Sequence, residues 1–242
     1  MNFENVKIII PTCDKYIHLL EGLMYTVNKF LKIDNQFIIL GYKSPDFNLS
    51  KNWSFYSLGT DTGPKNWSND LIVFFNEFKD NYFINMIDDT LLTRPSDVSK
   101  IELGFNYMLK NKDVKKCFLH GSLSTGEGHF GDIKLTPILE LESIFYDINQ
   151  TANYRSSIQS AIWSTDYFKT LLKPNMTPWD FELQHSKNDG ARILTTLNNH
   201  PTMMSHIYRV GNVLIPEWYK SVFEPTQLSD EDIDYLKNLL KL

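Results

Sequence analysis

The chain has 242 residues, a formal net charge of −5, 42% hydrophobic and 22% charged residues. That balance fits an ordinary globular domain, shows no basic stripe of the kind that binds nucleic acid, and disfavours attachment to anionic membrane by charge alone. Two cysteines far apart, Cys13 and Cys117, support neither a disulfide framework nor a zinc site, so a reducing, cytoplasmic setting is expected.

No stretch reaches the roughly 18 apolar residues of a membrane span. The opening MNFENVKIII puts an acid before a short apolar run and does not read as a signal peptide. Aromatic residues make up 14% of the chain, and most are expected in the core.

Residues 6–11, VKIIIP, form a short apolar run closed by proline, a buried strand. A helix is expected over 14–31, with Asp14 as its N-cap. Residues 36–42 and 53–59 read as strands. A helix follows over 68–79, capped by Ser68 or Asn69. Residues 81–87 make a fourth strand. The chain turns at Pro95 within a helical stretch, 94–110, and a fifth strand covers 114–121. This alternation predicts one mainly parallel sheet with helices on both faces. Ligands in such sheets sit at the carboxyl ends of the strands.

The second half is less regular. Residues 121–132, rich in glycine, serine and acid, read as a mobile loop; no lysine follows where a phosphate loop needs one. A smaller irregular β region is expected around 138–146 and 154–163. Helices are expected over 164–172, ended by Pro174, over 177–186, and over 229–242 with Ser229 as cap. No repeat, low-complexity tract or linker divides the chain, so a single domain over 1–242 is expected. Its expected parts are residues 1–95, residues 96–226 and a C-terminal helix over 227–242.

Three places can carry chemistry. In FINMIDDTLLTRP (83–95) an apolar run ends in Asp88 and Asp89. Paired acids at a strand end make either a polar turn or a site for a hard divalent cation that also bridges phosphates. In TPWDFE (177–182), Thr177 reads as N-cap, Pro178 as N1, and Asp180 as the acid that closes a capping box. Capping accounts for Asp180, which leaves Glu182 as the stronger candidate for a general base, with an exposed helix carboxylate as its structural alternative. In GTDTGPKNW (59–67), Asp61 can accept hydrogen bonds from a base or ribose and Lys65 can meet a phosphate; a solvated loop is the alternative. His185 shares a helix face with Glu182. His185 or His206 can complete a metal site, with an ordinary surface or core histidine as the alternative for each.

Together these pieces resemble the GT-A glycosyltransferases, in particular the family 2-like group. KIIIPTCDKYIHLL is similar to the opening strand and loop of that group. GTDTGPKNWSNDLIVFFNEFKDNYFINMIDDTLLTRPSDVSKI resembles a bacterial and phage subgroup in which a Trp-containing helix precedes a strand ending in Asp-Asp. YRSSIQSAIWSTDYFKTLLKPNMTPWDFE resembles that subgroup's later block, ending in Trp-x-Phe-Glu. The three blocks span residues 6–185 in order.

The resemblance implies a GT-A fold and transfer of a sugar from a nucleotide diphosphate, UDP above all, to a hydroxyl of a glycan, a lipid-linked or another acceptor. It implies nucleoside contacts at Pro11, Thr12, Asp14 and Asp61, with residues 1–95 as a nucleotide-binding half and 96–226 as an acceptor-side half. It implies a divalent metal, Mn²⁺ or Mg²⁺, on Asp89, with Asp88 near the ribose or the metal, and Glu182 as base. The motif is Asp-Asp-Thr rather than a full Asp-x-Asp. The Gln-x-x-Arg-Trp motif of processive enzymes is absent, which points away from a polymer synthase. The alternatives are a sugar nucleotidyltransferase and a degenerate GT-A domain that binds glycan or scaffolds an assembly. The net charge of −5 disfavours a nucleic-acid acceptor.

Overall fold

The computed structural model describes residues 2–120, 133–184, 187–197, 200–202, 204–206, 208–209, 212–213 and 226–240. The first half runs Lys7–Pro11 (β1), Leu20–Phe30 (α1), Phe37–Gly41 (β2), Trp53–Ser57 (β3), Trp67–Glu77 (α2), Tyr82–Asn85 (β4), Thr90–Leu92 (β5), Val98–Lys110 (α3) and Val114–Phe118 (β6). The second runs Leu135–Pro137 (β7), Tyr146–Ile148 (β8), Ala161–Ser164 (β9), Thr165–Leu171 (α4), Pro178–Gln184 (α5), Arg192–Thr195 (β10), Met204–His206 (β11), Tyr208–Arg209 (β12), Asn212–Val213 (β13) and Asp230–Leu240 (α6).

Among the described residues, nine strands form the main sheet in the order β3-β2-β1-β4-β9-β6-β10-β8-β7. Strands β3, β2, β1 and β4 are parallel, and so are β6 and β10. Successive residues of a strand point to opposite faces, and β1 shows the consequence. Ile8 and Ile10 enter a core shared with α1, α3 and α6, whereas Ile9 enters one shared with α2, α4 and α5. All three isoleucines are fully buried, each contributing about 1.5–3 kcal/mol of apolar burial. The mainly parallel sheet with helices on both faces is therefore present.

The second half departs from expectation. Its strands do not form a separate β region, because β7, β8, β9 and β10 all join the main sheet. β9 inserts antiparallel between β4 and β6 and so separates the fourth and fifth predicted strands. β5 and β10 were not foreseen. Instead of strand at 138–146, a 3-10 turn at Leu139–Leu141 lies between β7 and β8. Among the described residues, two small pairs, β5 with β11 and β12 with β13, complete the β structure.

Several expected caps also differ. Asp14 does not cap α1, which starts six residues later after a 3-10 turn at Ile17–Leu19. Neither Ser68 nor Asn69 caps α2, which begins at Trp67. Ser68 is buried, and its hydroxyl accepts the Met176 amide at 2.8 Å. After Pro95, α3 starts only at Val98, where the Asp97 carboxylate accepts the Lys100 amide. The Thr177–Asp180 capping box forms as expected: the Asp180 amide donates to Thr177 Oγ1 at 3.1 Å and the Thr177 amide to Asp180 Oδ2 at 3.0 Å. Ser229 makes the same box with Asp232 on α6. The loop at 121–132, His185 and the last two residues of the C-terminal helix lie outside the described residues.

Candidate active site

The parallel strands β1–β4 and β6 bring their carboxyl ends to one rim. β9 runs the other way, so the loop before it, 154–160, reaches the same rim. Six chain segments therefore reach that rim.

The loop after β1 packs tightly on β2. The Thr12 amide donates to the Leu40 carbonyl at 2.8 Å. A Cβ on Gly41 would lie 2.9 Å from Thr12 Cγ2 and 3.0 Å from Phe55 Cε2, so no side chain fits without displacement. The predicted pair Asp14 and Asp61 meet. The Asp14 amide donates to Asp61 Oδ2 at 3.2 Å, and the Lys43 amide donates to Asp14 Oδ1 at 3.0 Å. The other oxygen of Asp61 accepts the Gly63 amide at 2.9 Å. Gly63 has a φ of 96°, a conformation that favours glycine. Both acids thus shape the loops of this corner. Pro11 ends β1 on the rim, and Lys65 is exposed on the short turn before α2.

Asp88 and Asp89 form a turn after β4, so the turn reading is correct in part. Asp88 is nevertheless buried, at 8% exposure, while Asp89 is partly exposed. Burial pushes the Asp88 carboxyl up to about 7. The Thr12 hydroxyl and local amides oppose that shift, and the charge of Asp89 adds to it. Cys13 belongs to the same corner: burial raises its thiol, and the charges of Asp88 and Asp61 raise it further.

A divalent cation fits this donor set in part. Hard cations take oxygen ligands and complete their shell with substrate phosphates and water, and Asp88 with Asp89 offers two carboxylates beside the Thr12 loop. Among the described residues no group of three or more His, Cys, Asp or Glu side chains is placed to hold a metal alone. A bound ion would share its shell with a ligand's oxygens. β11 pairs antiparallel with β5, so the backbone of His206 lies opposite Thr90, next to Asp89 in sequence; its side chain is outside the described residues.

Glu182, on α5, is not a bare helix carboxylate. Its Oε1 accepts the Ser157 hydroxyl at 2.8 Å and the Ile158 amide at 2.7 Å. The Ile158 carbonyl in turn accepts from Asn85 Nδ2 at the end of β4, and Asn85 Oδ1 accepts Trp163 Nε1 at 2.7 Å. Asn85 thereby links the strand that leads to Asp88 with the loop that holds Glu182. Asp180 remains occupied with Thr177.

Sequence reasoning missed Asn85, Ser157, and the pair Tyr42–Asp70, whose hydroxyl and carboxylate lie 2.6 Å apart. Burial and Asp70 together raise the Tyr42 phenol strongly. It also missed Lys116, which is fully buried. A signal existed there: two consecutive lysines in a strand point to opposite faces, so in a sheet with helices on both faces both come under cover, and Lys116 is the one fully enclosed.

No protein-family model and no curated protein sequence matches the chain. Solved structures do. A UTP-bound UGPase from Acinetobacter baumannii superposes with a TM-score of 0.53 at 10% identity, over 83% of this chain and 87% of that one. S. aureus TarS gives 0.49 at 12% identity, over 96% of this chain and 42% of that one. HddC from Yersinia pseudotuberculosis gives 0.48 at 10% identity, over 84% and 93%. The chain thus spans well under half the length of TarS. At such identities likeness speaks to fold alone, and the chain shares the mixed α/β architecture of the UGPase.

Proposed function

We propose that the protein is a metal-dependent, non-processive glycosyltransferase of GT-A type that moves a sugar from a nucleotide diphosphate, UDP in the first instance, to an acceptor hydroxyl. The observation that carries this reading is the joining of two acidic centres at one rim, Asp88–Asp89 after β4 and Glu182 on α5, through Asn85 and Ile158. A fold shared with a protein that holds UTP supports a nucleotide ligand.

In this reading Pro11, Thr12, Asp14 and Asp61 face the nucleoside, and Lys65 faces a phosphate. Asp89, with Asp88, would hold Mn²⁺ or Mg²⁺, which would offset charge on the departing diphosphate. Glu182 accepts the proton of the acceptor hydroxyl as its oxygen bonds to the anomeric carbon and the bond from that carbon to the diphosphate breaks. The Ser157 hydroxyl and the Ile158 amide hold one carboxylate oxygen of Glu182 still. Asp180 stays structural.

The second reading is a sugar nucleotidyltransferase, favoured by the UGPase likeness. Against it, the loop PTCDKYIH after β1 has no glycine and is not the basic, glycine-rich loop such enzymes use. Among the described residues no helix is long and apolar enough to cross a membrane, and a cytoplasmic setting remains part of the proposal.

A panel of UDP-sugars, and in parallel UTP with sugar 1-phosphates, each incubated with and without Mn²⁺, tests the choice. Release of UDP that requires both the metal and one sugar supports the transferase. Release of pyrophosphate from UTP and a sugar 1-phosphate supports the nucleotidyltransferase. Binding with neither reaction leaves a binding protein.

A further inference from the structure

Lys116, on β6, exposes none of its surface. Its Nζ donates to the Arg155 carbonyl at 3.1 Å and to the Ser157 carbonyl at 2.5 Å. It also lies 3.5 Å from the centroid of the Phe118 ring and 4.1 Å from that of Trp163. A buried ammonium is costly unless its donors are satisfied, and a methionine would fill the same space without that cost. Two carbonyls and two aromatic faces meet the need here. Burial still pulls its pKa well below the ordinary lysine value, while the charge of Glu182 pulls the other way and that of Arg155 adds to the fall.

The carbonyl of Ser157 and the amide of Ile158 are two ends of one peptide group. A trans peptide is planar, and its C=O and N–H point in opposite directions. The carbonyl end is held by Lys116, and the amide end donates to Glu182 Oε1 at 2.7 Å. A rigid dipole therefore stands between the buried lysine nitrogen and the carboxylate, its carbonyl end toward the Lys116 donor and its amide end toward Glu182. Hydrogen bonds arranged in such a chain polarise one another. The neighbouring peptide is fixed too, because Asn85 Nδ2 donates to the Ile158 carbonyl.

We propose that Lys116 is a positioning residue for Glu182: by gripping the 157–158 peptide from the core, it fixes the amide and the hydroxyl that aim the carboxylate at the rim. The role rests on the glycosyltransferase reading, in which Glu182 takes the acceptor proton.

The test uses Lys116→Met, which keeps the length of the side chain and removes the ammonium, and Lys116→Gln, which keeps a neutral donor if the first variant does not fold. Hydrogen exchange reports on the loop without any substrate. In the folded variant the Ile158 amide should exchange about tenfold faster, as expected for a loss near 1.4 kcal/mol, while the amides of β4 stay as they were. With the best UDP-sugar and Mn²⁺, kcat for transfer should fall about tenfold or more with donor Kd unchanged. In a Glu182→Gln background the Lys116 change should add no further loss, because it acts through that carboxylate. Unchanged exchange at Ile158, a weakened donor Kd, or losses that multiply in the double variant would each overturn the proposal. Full activity of Glu182→Gln alone would instead remove the base reading, and Ile158 exchange would still decide whether Lys116 orders the loop.

Discussion

Replacing Asp180 by alanine removes the carboxylate oxygen that accepts from both the amide and the hydroxyl of Thr177, at 3.0 and 2.8 Å. The reciprocal bond, from the amide of residue 180 to Thr177 Oγ1, survives, so half of the capping box remains. We predict a loss of about 1 kcal/mol, within the usual ~0.5–2 for a cap. For a chain of this size that lowers the melting temperature by roughly 2–4 °C. Turnover per folded molecule should not change. Glu182→Gln behaves oppositely. Its amide oxygen can still accept from Ser157 and Ile158, so the melting temperature should stay within about 2 °C, while turnover falls on the order of 10²–10⁴. Glu182→Ala should lose both. It leaves the Ile158 amide without its acceptor, a cost of about 1–3 kcal/mol, at the lower end because Ile158 is only half-buried. The assay is a thermal melt beside turnover at saturating UDP-sugar and Mn²⁺ for the three purified variants. A stable but inactive Asp180→Ala together with an active Glu182→Gln would show that the roles are reversed. Full activity in all three would show that α5 carries no base.

Asp89→Asn should abolish the Mn²⁺-dependent part of UDP-sugar affinity and leave the melting temperature nearly unchanged; titration calorimetry with and without the metal checks it, and an unchanged metal-dependent affinity sinks the assignment. Asp61→Ala frees the amides of Asp14 and Gly63 and should weaken UDP alone as well as UDP-sugar; if acceptor KM alone moves, the corner has been assigned to the wrong substrate. Asp232 joins α6 to α1 by accepting from Lys29 Nζ and the Tyr25 hydroxyl, each at 2.5 Å. Burial raises its carboxyl, but Lys29, Tyr25 and Ser229 outweigh that and hold it well below the usual range. The folded protein therefore holds this proton less tightly than the unfolded chain. The contribution is complete above the ordinary carboxylate value of ~3.9 and is lost as pH falls below it. Melts across that window should drop less steeply for Asp232→Asn than for the parent, and equal slopes would refute the linkage.

The sequence by itself determined the elements whose signals are local. A run such as KIIIP is apolar enough to be buried on both faces, and Thr177-Pro178-x-Asp180 carries its cap within four residues, so each could be read without knowing its neighbours. Sequence order likewise put the loops after β1 and β4 on one rim, because a strand–helix alternation makes strands parallel, and parallel strands end together. The meeting of Asp14 with Asp61 needed more: no helix joins β2 to β3, so only the parallel pairing of β3 with β2 brings the loop after β3 to that rim. What lay beyond local signals was everything set by pairing partners. That β9 runs antiparallel between β4 and β6 depends on which strands it pairs with, and no window of residues encodes this. The consequence reaches the site directly. The insertion turns the 154–160 loop toward the rim, seats Ser157 and Ile158 against Glu182, and buries Lys116 behind them. Glu182 looked unemployed in one dimension because its partners lie about two dozen residues away. Its hydrogen bonds are tertiary, and long-range hydrogen bonds leave no periodicity to read.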